Sequence, residues 1–101
     1  MNHEEISSIA RALSHPTRVA ILDLLVRRGE TCVCEIARAL GINQPSASKH
    51  LNVLRVVNLV TFRREGLMYM YRSCGPRVGG LLDFMAEMGS IESECSERTG
   101  T

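Results

Sequence analysis

Ile6, Ile9, Ala10 and Leu13 recur at the i, i+3, i+4, i+7 spacing of one helical face, which predicts an amphipathic helix over 4–13. A second helix follows at once. Ser14-His15-Pro16-Thr17 offers Ser14 as its N-cap and a proline in its first turn, and Val19, Leu22, Leu25 and Val26 form its buried stripe up to Gly29. The third predicted helix runs from about Cys34 to Leu40 and stops at Gly41. The fourth takes Asn43 as N-cap, tolerates Pro45 in its first turn and turns Ala47, Leu51 and Leu54 inward. After Asn58 the period drops to two: Val60 and Phe62 alternate with Thr61 and Arg63, Glu65-Gly66 makes a turn, and Leu67 to Arg72 returns as a second strand. Gly75-Pro76 breaks that strand, and Val78, Leu81, Leu82, Met85 and Met88 mark a last amphipathic helix ending near Gly89.

The order α-α-α-α-β-β-α, mainly helical with a small hairpin, describes a winged helix-turn-helix. The 101 residues make one domain, 1–101, with 90–101 a polar, flexible tail. A lone chain of this size buries only about 60 to 65% of its unfolded surface, so a dimer is expected. No stretch approaches the roughly 18 apolar residues of a membrane span. The start, Met1-Asn2-His3-Glu4-Glu5, lacks the basic and apolar character of a secretion signal, and a cytoplasmic protein without a membrane partner is expected.

Net charge changes the picture only when it is divided along the chain. Residues 1–35 carry four arginines against five acids, and residues 78–101 carry Arg98 against five acids. Between them, residues 36–77 carry seven Arg and Lys against Glu65 alone. That basic middle third coincides with the fourth helix and the hairpin, as contact with the phosphates of double-stranded DNA requires. On the fourth helix, Gln44, Ser46, Ser48, Lys49 and His50 form a polar face of short donors suited to base edges and phosphates. In the wing, Arg63 and Arg64 are candidates for phosphate or minor-groove contact. His50 alone reads equally well as a buttress.

Four cysteines in a reducing compartment are ligands, redox groups or packing residues rather than a structural disulfide set. Cys32 and Cys34 stand at the head of the third helix. There the unpaired N–H groups and the helix dipole favour thiolate, and a spacing of two is not one that core packing repeats. On an ideal helix, residues two apart point about 200° from each other, so one ion is expected to gather both sulfurs only by unwinding the first turn. Soft ions, As(III), Sb(III), Cd(II) or Pb(II), suit such donors. The alternative of a disulfide or persulfide switch is disfavoured by the tight Cys-x-Cys ring. An enzyme is not expected, since no Cys-x-x-Cys, paired acid, glycine-rich phosphate loop or Cys/His/Asn arrangement is present.

Leu13-Ser14-His15-Pro16-Thr17-Arg18, Glu30-Thr31-Cys32-Val33-Cys34-Glu35-Ile36, Gln44-Pro45-Ser46-Ala47-Ser48-Lys49-His50-Leu51 and Tyr69-Met70-Tyr71-Arg72 together resemble the ArsR/SmtB family of metal-responsive winged-helix repressors, from about Ile6 to Met88. The resemblance implies a homodimer joined by the first and last helices. It implies operator binding without inducer and release when a metal or metalloid binds. The Cys-Val-Cys box followed by an acid is similar to that of the arsenite/antimonite and cadmium/lead repressors, which makes Cys32 and Cys34 the expected ligands and As(III) or Sb(III) the leading inducer. The chain departs from both patterns: Ala37 stands where arsenite repressors have a third cysteine, and no cysteine precedes Cys32, where the cadmium/lead type has cysteines in an N-terminal arm. The family's other site needs histidines on the last helix; Asp83 and Glu87 are present, but no His follows Cys74. A third ligand would have to come from Cys74, Cys95 or a small thiol.

Overall fold

The computed structural model describes residues 1–90, so Cys95 and the tail expected beyond Ser90 lie outside the described residues. Helix α1 spans His3–Ala12, and Asn2 caps it by accepting the N–H groups of Glu4 and Glu5 on Oδ1 at 3.0 and 3.2 Å. Helix α2 spans Pro16–Arg28. Its cap is His15, not Ser14. Pro16 occupies the first helical position, which leaves the residue before it as the cap, and His15 Nδ1 accepts the N–H of Thr17 at 3.3 Å. The Ser14 hydroxyl instead donates to the Arg11 carbonyl at 2.7 Å. The buried face of α2 is Ile21, Leu22 and Leu25, with Val26 rotated to the edge at 37% exposure.

A short strand absent from the expected order comes next. Thr31–Cys32 forms β1, paired antiparallel with β3 (Met68–Ser73), which pairs in turn with β2 (Val60–Glu65); the sheet order is β1-β3-β2. Two residues carry no period-two signal, and this strand exists only through its distant partner. Helix α3 (Val33–Leu40) then ends at Gly41, whose φ of 66° is the left-handed conformation that swings the chain into α4 (Gln44–Val56). Asn43 caps α4 by accepting the Ser46 N–H on Oδ1 at 2.8 Å. In the wing, Glu65 pairs with Met68, so the turn is Gly66-Leu67, one residue later than the sequence suggested. The last helix, α5, runs from Pro76 to Ser90.

Ile21, Leu22, Leu25, Ile36, Leu51, Leu54 and Val60 are fully buried and join α2, α3, α4 and the foot of the wing in one core. Full burial of each such side chain is worth about 1.5–3 kcal/mol, enough to fix α3 and α4 relative to α2. Other apolar side chains are left uncovered: Ile6 on α1 is 49% exposed, and Phe84, Met85 and Met88 on α5 are 61%, 43% and 53% exposed. Among the described residues, no helix is long and apolar enough to cross a membrane.

Candidate nucleic-acid interface and thiol site

The core seats α4 through Ala47, Leu51 and Leu54, each with no measurable exposure, and this determines what the opposite face offers. Gln44, Ser48 and Lys49 are exposed and Ser46 is half-buried, so a run of amide, hydroxyl and ammonium groups is presented outward. His50 is not part of that run. Ala47, His50, Leu51 and Leu54 follow i, i+3, i+4, i+7 spacing, which puts His50 on the inner stripe. There its Nδ1 accepts a hydrogen bond from Arg18 Nε at 3.2 Å, and its ring lies 4.6 Å from that of His15. Burial, then the charges of His15 and Arg18, hold its pKa below the ordinary imidazole value. In this structure His50 locks α4 to α2 rather than extending toward a base edge.

The two wing arginines also differ. Arg63 pairs across the strands with Met70, which itself pairs with Cys32, so all three side chains share one face of the sheet. On that face Arg63 donates from Nε and Nη2 to the two carboxylate oxygens of Glu30 at 2.8 and 2.7 Å, and Nη2 lies 3.0 Å from Glu65. The Arg63 hydrogen bonds hold the Glu30 carboxyl below the usual carboxylate range. Arg64 is on the other face, tethered among the described residues by Nε to the Gly66 carbonyl at 3.1 Å, with its guanidinium 5.9 Å from the Tyr69 ring centre. Arg64 is thus available to a phosphate, whereas Arg63 is engaged by two carboxylates.

Glu30 leads directly to the thiols. Cys32 is both the end of β1 and the N-cap of α3, with φ −76° and ψ 155°; its side chain is buried, and that of Cys34 is half-buried. Because Cys32 is extended rather than helical, the ideal-helix angle between the two does not apply, and both side chains face one cavity of about 460 Å³. The first turn need not unwind to bring them together. Nor is Cys34 activated by the helix end. Its pKa is raised, chiefly by hydrogen bonding with Cys32, then by burial and by the Cys32 charge, and these outweigh the lowering by the backbone N–H groups of Glu35 and Cys34.

Cys74 does not join the pair. It lies four residues along the chain from Met70, the partner of Cys32, a path of roughly 13 Å at strand rise, and its N–H donates to the Leu59 carbonyl at the other end of the sheet. Among the described residues, no group of three or more His, Cys, Asp or Glu side chains is placed to hold a metal ion. Instead the cavity is completed by Arg28, Glu30, Glu35, Met68 and Met70. The two methionines and Glu30 were missed in the sequence, because only the register of β1 on β3 brings them to the cysteines.

Known proteins share this fold. Residues 15–61 match the family model described as bacterial regulatory protein, arsR family. An uncharacterised HTH-type transcriptional regulator of Methanocaldococcus jannaschii is 36% identical over 86 residues, covering 85% of this chain and 97% of the relative. The arsenical resistance operon repressor of Staphylococcus xylosus is 40% identical over 72 residues, covering 71% of this chain and 68% of the relative. In three dimensions, the homodimeric winged helix-turn-helix DNA-binding domain of a possible ArsR-family regulator from Mycobacterium bovis superposes with a TM-score of 0.80 at 35% identity, covering 88% and 82% of the two chains.

Proposed function

From the premise that this chain belongs to the ArsR family of DNA-binding transcriptional regulators, we propose that it is a homodimeric repressor released from its operator by a thiophilic metal or metalloid at Cys32 and Cys34. The observation that carries this reading is the shared cavity: both cysteines open into one space at the head of α3, the helix that leads through Gly41 into the recognition helix. The donor set fits a soft ion, with two thiols in one wall. As(III) or Sb(III) leads among such inducers, in keeping with the arsenical resistance repressor among the relatives; Cd(II) and Pb(II) belong to the same soft class.

DNA contact falls to Gln44, Ser46, Ser48 and Lys49 in the major groove and to Arg64 in the wing, with Arg63 joining when Glu30 lets it go. Glu30 links the two functions. It stands two residues before Cys32, lines the thiol cavity and grips Arg63. A shift of β1 or of the first turn of α3 on ligation therefore reaches the wing both through the β1–β3 pairing and through this carboxylate. Dimerisation uses the uncovered apolar residues of α1 and α5, Ile6, Phe84, Met85 and Met88, and the homodimeric state of the Mycobacterium bovis domain is in keeping with a dimer.

The test is a titration of the reduced protein with As(III), following sulfur-to-arsenic absorption together with release from a fluorescent palindromic operator. Both signals are expected to rise in parallel and saturate together. DNA binding that is unaffected while the thiols fill would separate the site from the response and refute the reading.

A further inference from the structure

We propose that Met70 is a thioether ligand of the same pocket, so that with Cys32 and Cys34 it forms a three-sulfur site for a monovalent soft cation, Cu(I). This deepens the thiol-sensor reading and rests on it. Cys32 and Met70 are direct partners in the antiparallel β1–β3 pair. Residues so placed project to the same face with Cβ atoms about 4.5–5.5 Å apart, a separation that a methionine's three rotatable bonds can close around an ion. Cys32, Cys34, Met68 and Met70 all line the cavity, whereas Cys74 is at the far end of the strand. Met70 is half-buried in the wall, and Met68, two residues back on the same face, is 48% exposed at the mouth.

The chemistry of this set selects the ion. A thioether is neutral, polarisable and weakly basic, a good donor to Cu(I) and a poor one to Zn(II), which prefers imidazole, thiolate or carboxylate. Two thiolates with one Cu(I) leave a single negative charge in a cavity whose charged lining is Arg28, Glu30 and Glu35. Ligation releases the thiol protons of Cys32 and Cys34. The metalloid and the monovalent cation thus share two sulfurs and differ in the third.

The experiment is competition of the reduced, full-length protein against bicinchoninate-bound Cu(I), run beside an As(III) titration, on the parent, Met70→Leu and the Cys32→Ser, Cys34→Ser double variant. Leucine matches the bulk of methionine, and unchanged operator affinity checks that the fold is kept. Met70→Leu is expected to lose Cu(I) affinity by at least about tenfold while As(III) binding stays as in the parent. The double serine variant is expected to lose both. Parent-like Cu(I) affinity in Met70→Leu, with both ligands lost in the serine variant, overturns the thioether ligand and leaves the thiol sensor standing. Retention of both ligands in the serine variant overturns the thiol-sensor reading and this inference with it.

Discussion

Arg63 of β2 holds Glu30 at the approach to β1 by two hydrogen bonds of 2.8 and 2.7 Å, so a wing residue suited to DNA is anchored to a carboxylate in the wall of the thiol cavity. The pair is half-exposed, and its worth as a stabilising contact is small. Its importance is positional: it decides whether one arginine faces a carboxylate or a phosphate.

Replacing Glu30 with Gln should therefore loosen Arg63 and strengthen operator binding several-fold at low salt. The salt dependence of log K should steepen by about one, as one more phosphate is neutralised. In the parent background, Arg64→Ala should weaken binding more than Arg63→Ala, because Arg63 is held by Glu30 and Glu65 whereas Arg64 bonds the Gly66 carbonyl. Fluorescence anisotropy across a salt series measures both effects.

His50 should titrate below the ordinary imidazole value, as followed by its ring proton resonances. The folded state binds this proton less well than the unfolded chain does. The associated stability is therefore complete above the ordinary value and is lost as pH falls from there through the lowered folded pKa. Protonation would also occupy Nδ1, which accepts from Arg18 Nε, and place a cation beside Arg18 and His15. In His50→Gln, which can still accept that bond but does not titrate, urea midpoints at about pH 7.5 and 5.5 should differ less than in the parent.

Phe84→Glu combined with Met88→Glu should convert the dimer to a monomer in sedimentation, since both side chains are more than half exposed on α5 and a charge there opposes burial. Operator affinity should fall at the same time, because two linked recognition helices bind with the advantage of high effective concentration. Thermal unfolding of the isolated chain should remain cooperative, as neither residue belongs to the internal core.

What the sequence made legible was local. Asn43, Gly41 and the Ala47/Leu51/Leu54 stripe specify the helix-turn-helix within the one stretch from Gly41 to Leu54, and the structure places each as expected. What it hid depends on pairing at a distance. β1 is two residues long and is defined by Tyr71 and Met70, about forty positions away. Through that pairing come Met70 beside Cys32, the grip of Glu30 on Arg63 and the separation of Cys74 from the thiols. His50, which the sequence left open between buttress and DNA contact, is decided by its i+3 relation to Ala47 and by its bond to Arg18 of α2. The ideal-helix angle between Cys32 and Cys34 failed because the cap residue is extended.

The most direct test of thiol sensing is operator occupancy of the Cys32→Ser, Cys34→Ser double variant as As(III), Sb(III), Cd(II) or Pb(II) is added. Serine is a favoured N-cap, so α3 should form as in the parent and operator affinity should be unchanged. The expected result is a repressor that stays on its operator at inducer concentrations that release the parent. A double variant that leaves the operator as readily as the parent would contradict the account.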